Sequence, residues 1–304
     1  MAATRAEQKL SRVLITGGTD GLGRAAAVLL AEHGYRVFAG ARSLGRRAAL
    51  DQFALERKLP LETLELDVCD DASVDRAVGE IERRGGPVDI LVNSAGIAIA
   101  AVMEEITLSD LRKQFETNFF GVVRVTQRVL PEMRRLRRGR IVNMSSIAGK
   151  VASPLFGPYG SSKHALEGMS DALRLELYPF DIHVVLIEPG YIPTSINQNA
   201  AELSRGYAKG VERSAYGGVY RGFLQSWTRT MKESRYKPED CARVVLRAIE
   251  DTAPRARYPV TRDAKIGILA RRFLSDHAFD RSLRKRLGLD ALREAFAQGA
   301  KARI

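Results

Sequence analysis

The sequence predicts an α/β fold: a single doubly wound, Rossmann-type parallel sheet with helices on both faces and a helical C-terminal extension. Three observations predict it. Short β-branched runs alternate with longer stretches of helical periodicity, which is the pattern of βαβ units. A glycine-rich turn follows the first of those runs and opens a helix. No linker of altered composition divides the chain, so residues 1–304 read as one domain.

Residues 13–16 read as the first strand, followed by the glycine turn and an alanine-rich helix over 22–33 that Gly34 stops. Residues 35–40 give the second strand and 43–58 the second helix. Further strands fall at 61–66, 90–93, 141–144 and 184–187. Long amphipathic helices over 109–136 and 159–177 precede the last two. In the former, Leu111, Phe115, Phe119, Val122, Val123 and Thr126 recur at helical spacing. Beyond Pro189-Gly190 the pattern changes. Residues 191–235 hold glycines, tyrosines, Phe223 and Trp227 without strand alternation, and read as a mobile segment. Pro238-Glu239-Asp240 starts another helix, 257–260 reads as a seventh strand, and 262–304 as the helical extension.

A hydrophobic fraction of 45% with 28% charged residues is that of a soluble globular protein. The first twelve residues lack the apolar core of a secretory signal, and no apolar run approaches the roughly 18 residues of a membrane span. Cys69 and Cys241 make no disulfide framework, and no CxxC or HxxxH pair offers a metal site. The expectation is two reduced thiols in a cytoplasmic protein without a metal. The net charge of +12 raises nucleic acid as a partner. Its clusters, Arg134, Arg135, Arg137, Arg138 and Arg140, then Arg281, Arg284, Lys285 and Arg286, are not interleaved with aromatics and accompany no nucleic-acid-binding motif. That partner is therefore set aside.

The turn Thr16-Gly17-Gly18-Thr19-Asp20-Gly21-Leu22-Gly23 lets the backbone approach a pyrophosphate seated on a helix N-terminus. It is not a phosphate loop of the Walker type, because Arg24-Ala25 replace the Lys and Ser/Thr. About 20 residues beyond the glycines, an acid would accept from a ribose 2′-hydroxyl and an arginine would take a 2′-phosphate. Arg42 stands there in Ala39-Gly40-Ala41-Arg42-Ser43, which favours NADP, with NAD as the alternative. Asp20 nearby would oppose a phosphate somewhat. Tyr159 and Lys163, one helical turn apart, share a face. A neighbouring ammonium favours a phenolate, so the pair suits proton transfer. Ser145 and Ser146 close the fifth strand at the carboxyl edge, where a hydroxyl donates to a substrate carbonyl. Asn118, an amide among apolar neighbours, reads either as a site residue or as a helix irregularity bonded to backbone.

Over residues 12–194, and more weakly to 260, the chain resembles the short-chain dehydrogenase/reductase family, in particular its hydroxysteroid- and retinol-dehydrogenase-like members. The turn Thr16-Gly17-x-x-x-Gly21-x-Gly23 is similar to the family's cofactor motif, and Asn93-Ser94-Ala95-Gly96 to its N-x-A-G element. Ser146 with Tyr159-x-x-x-Lys163 resembles its catalytic core, with Asn118 the fourth member. The resemblance implies an NAD(P)-dependent oxidoreductase that interconverts an alcohol and its carbonyl. Cofactor contacts are implied at Gly17, Thr19, Gly21, Leu22, Gly23, Arg42, Asp67, Val68, Asn93, Ala95, Gly96, Tyr159 and Lys163, and at Pro189, Gly190, Ile192 and Thr194 of the nicotinamide segment. Tyr159 would be the acid/base, Lys163 would lower its pKa and hold the ribose, Ser146 would polarise the carbonyl, and Asn118 would anchor a water linking Lys163 to solvent. Residues 191–235 would cover the substrate. Tyr216, Phe223, Leu224 and Trp227 could line an apolar pocket for a lipophilic one. A homodimer or homotetramer through the two long helices is implied. The alternative function is an NADP(H)-binding regulator without turnover. The basic amphipathic residues 266–289 are expected to dock on the domain, with a membrane surface as the second reading.

Overall fold

The computed structural model describes residues 11–297. In chain order, β1 (Arg12–Thr16) leads to α1 (Gly21–Glu32), β2 (Arg36–Ala41), α2 (Leu44–Glu56), β3 (Leu61–Glu65), α3 (Asp71–Gly85) and β4 (Ile90–Asn93). A helical run follows, comprising α4 (Leu108–Phe115), a π-helical turn (Glu116–Phe120) and α5 (Gly121–Leu136). Then come β5 (Gly139–Met144), a 3-10 turn (Ile147–Gly149), α6 (Gly157–Leu177) and β6 (Ile182–Glu188). The C-terminal part is α7 (Ser195–Leu203), α8 (Arg205–Lys209), α9 (Gly217–Glu233), α10 (Pro238–Glu250), β7 (Arg257–Pro259), α11 (Arg262–Phe273), α12 (Asp276–Leu287) and α13 (Leu289–Ala297).

The seven strands are all parallel, in the order β3-β2-β1-β4-β5-β6-β7. Side chains of a strand alternate between faces, and here both faces are apolar because helices cover both. Val13, Ile15, Val37 and Ala39 pack with Ala27 and Leu30 of α1 and Val245 and Ile249 of α10. Leu14, Phe38 and Leu91 pack with Val78 and Ile81 of α3 and Val125 and Val129 of α5. Each fully buried branched side chain contributes about 1.5–3 kcal/mol of transfer free energy. The chain winds one way from β1 through β3 and the other way from β4 onward. That leaves a crevice between β1 and β4 at the carboxyl ends, where such sheets hold ligands.

The predicted strands and long helices are present with ends moved by one or two residues. α3 has no counterpart in the sequence reading, although Asp70 caps it and Val74, Ala77, Val78 and Ile81 bury one face. Residues 191–235 are largely helical, in α7, α8 and α9. Their aromatics are helical rather than irregular: Tyr220, Phe223 and Trp227 stand three and four apart and pack in one apolar cluster. The segment is fastened to the loop after β4. Ser204 Oγ accepts from Ala100 N (2.8 Å), and Tyr220 Oη accepts from Val102 N (3.2 Å) while donating to Glu105 (2.8 Å). The extension is helical through Ala297, and the remainder of 262–304 lies outside the described residues. α11 docks by the face bearing Ala264 and Gly267, whose Cα approaches Ile147. Its Ile266, Leu269 and Phe273 point away and are exposed.

Candidate active site

The glycine turn is rigid for steric reasons. Gly17 has φ +64°, a conformation costly for any residue with a Cβ, and a Cβ there would lie 2.9 Å from Ala95 Cα. A Cβ on Gly23 would press on the Gly17 carbonyl. Thr16 Oγ1 accepts from the N–H groups of Ser94 and Ala95, both at 3.0 Å, which clamps the end of β4 to this turn. Asp20 caps α1 through Oδ1 and Gly21 N (2.7 Å), and its Oδ2 meets Arg46 Nη1 at 2.6 Å. The carboxylate expected to oppose a phosphate therefore carries its own counter-ion.

One cleft runs along the carboxyl ends of the strands and gathers most of the expected cofactor residues. Gly17, Thr19, Gly21, Leu22, Gly23, Arg42, Asp67, Val68, Ala95, Gly96, Tyr159, Lys163 and Thr194 all line it. Arg42 is 69% exposed and lies 3.8 Å from Asp67, so it is free to reach toward the cleft mouth. Ser145 Oγ, buried and without a partner among the described residues, also lines the cleft. Free N–H groups at a helix start, a strained glycine cradle and an orphaned hydroxyl suit a dinucleotide.

Four expected cofactor residues do not line the cleft. Asn93 lies beneath it, donating to Thr126 Oγ1 (3.2 Å) and Asn143 Oδ1 (2.9 Å). Ile192 is part of the hydrophobic core. Pro189 and Gly190 form the hinge after β6. The Pro189 carbonyl accepts from Ile147 N (2.8 Å), and Gly190 N donates to Thr261 Oγ1 (3.1 Å). Sequence reasoning missed Arg46, Thr117, Ser195 and Asn199, which do line the cleft. Arg46 was findable: Ser43 caps α2, and its first turn ends at Arg46.

Tyr159 and Lys163 stand on the first turns of α6, with Ser146 at the cap of the 3-10 turn opposite. Burial raises the Tyr159 phenol, and a hydrogen bond with Ser146 opposes that rise. Lys163 is 6% exposed and donates from Nζ to the Met144 carbonyl at 2.7 Å. Burial lowers its pKa to about 8, opposed by the charge of Glu167. Nζ sits 5.8 Å from the centre of the Tyr159 ring, and burial is the larger influence on the phenol.

Asn118 is fully buried in the π-helical turn, so it is both a helix irregularity and an amide bonded to backbone. Its Oδ1 accepts from Ile97 N (2.9 Å), and Nδ2 donates to Ile97 O (3.0 Å) and Ser162 Oγ (3.2 Å). It therefore ties the loop after β4 to α6 and makes no direct bond to Lys163.

Beside the phenol stands an aromatic wall. Phe156 lies 5.7 Å from Tyr159, 5.0 Å from Trp227 and 5.3 Å from Phe223, and Tyr191 lies 5.4 Å from Trp227. Of the expected pocket residues, Phe223 and Trp227 are in this wall. Tyr216 packs against the same cluster with its hydroxyl on Glu104, and Leu224 is 45% exposed. Phe156 and Tyr191 were not anticipated.

Residues 11–204 match the family described as "short chain dehydrogenase". The chain belongs to the short-chain dehydrogenase family. It is 36% identical over 277 residues to "Uncharacterized oxidoreductase YusZ" of Bacillus subtilis, covering 90% of this chain and 97% of that one. It is 34% identical over 250 residues to "Retinol dehydrogenase 8" of Bos taurus, covering 81% and 80%. A crystal structure of an actinorhodin polyketide ketoreductase with NADPH superposes with a TM-score of 0.72 at 29% identity, covering 87% of this chain and 99% of that one. As a short-chain dehydrogenase, the chain is an oxidoreductase acting on CH–OH groups and their carbonyls. No helix among the described residues is long and apolar enough to cross a membrane.

Proposed function

We propose that the chain is an NADP(H)-dependent oxidoreductase that interconverts a lipophilic alcohol and its ketone or aldehyde, with Tyr159 as the acid/base. The observation that carries this reading is the position of the phenol. Tyr159 lines the cleft and lies 5.7 Å from Phe156, the ring that carries the aromatic wall of Phe223 and Trp227, and Ser146 is near enough to oppose the rise of its pKa. Likeness to a retinol dehydrogenase and to a ketoreductase with NADPH supports both the apolar substrate and the cofactor.

In reduction, Ser146 donates to the substrate carbonyl and Tyr159 delivers the proton to the developing alkoxide; oxidation reverses the transfer. Lys163 lines the cleft, where its ammonium would hold the ribose of a bound nucleotide. A bound nicotinamide supplies or accepts the hydride. Arg42, with Arg46 beside it, offers guanidinium groups to a 2′-phosphate. Phe120 in the π-helical turn, Leu175 near the end of α6 and Tyr178 just after it are exposed apolar residues that a homodimer or homotetramer through the two long helices would cover.

Tyr159→Phe tests the reading. NADPH should still bind while turnover falls by about 10²-fold or more. Unchanged turnover would reject Tyr159 as the proton carrier. Binding without turnover in the unaltered chain, against a broad set of hydrophobic carbonyls, would favour the regulator.

A further inference from the structure

Beneath Lys163 lie two glutamates that the reaction above does not use. Glu167, one turn further along α6, is 2% exposed, and Glu188, the last residue of β6, is 1% exposed. Glu167 Oε2 is held by Lys150 Nζ at 2.8 Å and Arg257 Nε at 2.9 Å. Arg257 also reaches Asp171 at 2.6 Å and lies 3.7 Å from Glu188 Oε1. The Oε1 atom of each glutamate is buried and has no hydrogen-bond partner among the described residues.

The charges around the pair can be counted by element. Lys150 follows the 3-10 turn, and α6 supplies Lys163, Asp171 and Arg174, the last two paired at 2.6 Å. β7 supplies Arg257. Asp263 of α11 turns instead to the Tyr191 N–H at 3.2 Å. Lys150 and Arg257 hold Glu167, and Arg257 and Arg174 hold Asp171, whereas Glu188 has only the 3.7 Å approach of Arg257, so it is the least compensated carboxyl of the three. An unbalanced buried carboxylate is unfavourable, and a proton on Glu188 removes the charge. Each carboxyl has a buried oxygen without a partner, and a proton held between the two would give them one.

We propose that Glu167 and Glu188 share one proton and together position the charge of Lys163, holding its ammonium when that proton leaves. Burial first, and the Glu167 charge second, push Glu188 up to about 7. Burial works against the Lys163 ammonium and Glu167 works for it. The pair thus gains negative charge near neutrality, just below the pH at which the lysine would lose its proton. The role for Lys163 rests on the function proposed above; the shared proton does not.

Two measurements test the two parts. A Glu188 pKa raised in the folded state contributes stability that is present below the unfolded value and lost as pH rises to about 7. Glu188→Gln should therefore gain in denaturation midpoint relative to the unaltered chain as pH rises from about 5 to about 7.5. A difference independent of pH overturns the shared proton, whatever the chain binds. The second measurement is NADPH affinity by fluorescence from about pH 6 to about pH 9.5. In Glu188→Gln the alkaline fall in affinity should move to lower pH, with the Kd ratio to the unaltered chain growing at least about threefold across the range. Lys150→Met, which removes a competitor for Glu167, should move the fall to higher pH. Uniform weakening at every pH in both variants, or shifts of the same sign, overturns the positioning role. Failure of the unaltered chain to bind NADPH at any pH overturns the functional reading together with that role, and the denaturation series still decides the shared proton.

Discussion

Burial moves Tyr159 and Lys163 in opposite directions, and this sets what each group can do. The phenol is raised, so it is neutral at ordinary pH and suited to give a proton to a carbonyl. Lys163 is lowered to about 8, so its ammonium prevails below that pH and is lost above it. NADPH-dependent reduction should accordingly decline as pH rises through about 8; a steady-state profile still rising there would contradict the assignment. Arg42→Ala should weaken NADPH about tenfold and NADH far less, by titration of each nucleotide. Equal losses would reject a phosphate contact. The tyrosine, lysine and glycines were legible in the sequence because their chemistry is local, a spacing along one helix or one turn. The buried glutamates were not, because their roles come from partners elsewhere in the chain, Arg257 and Lys150.

The π-helical turn that interrupts the long helix between β4 and β5 is set by one side chain. Asn118 satisfies both the N–H and the C=O of Ile97 and reaches Ser162 on α6, so a single amide joins three elements under the cleft. Asn118→Ala leaves the Ile97 N–H without its acceptor, while the Ile97 carbonyl keeps Gln114 Nε2 at 2.7 Å, and should cost about 1–3 kcal/mol in a denaturant titration. A loss below a few tenths would show that water takes the amide's place. Periodicity located that long helix through Leu111, Phe115, Phe119, Val122, Val123 and Thr126, and Val122, Val125, Val129 and Met133 keep one buried stripe after the interruption. It did not reveal the interruption, which depends on what lies across from Asn118. The same limit explains residues 191–235: alternation was sought and absent, while the three-and-four spacing of Tyr220, Phe223 and Trp227 carried the structure.

Across the whole molecule, the sheet and both its helical layers follow from strand and helix periods that the sequence displays openly. The strand order does not, since it is fixed by which faces the crossover helices bury. That order opens the crevice between β1 and β4, and the C-terminal helices bring aromatic residues to its far end. Trp227→Ala should raise KM for a long-chain aldehyde about tenfold and leave kcat within about twofold, because it removes apolar contact from the part of the wall that stacks on Phe156 rather than on Tyr159. A short polar carbonyl should lose less. The central claim is that cleft, phenol and aromatic wall form one hydride-transfer site. Its most direct test is the oxidation of NADPH, followed by absorbance, against graded hydrophobic ketones and aldehydes with the unaltered chain and Tyr159→Phe in parallel. The account predicts turnover that increases with substrate hydrophobicity in the unaltered chain and is nearly abolished in the variant. Turnover that is equal in the two proteins would contradict it.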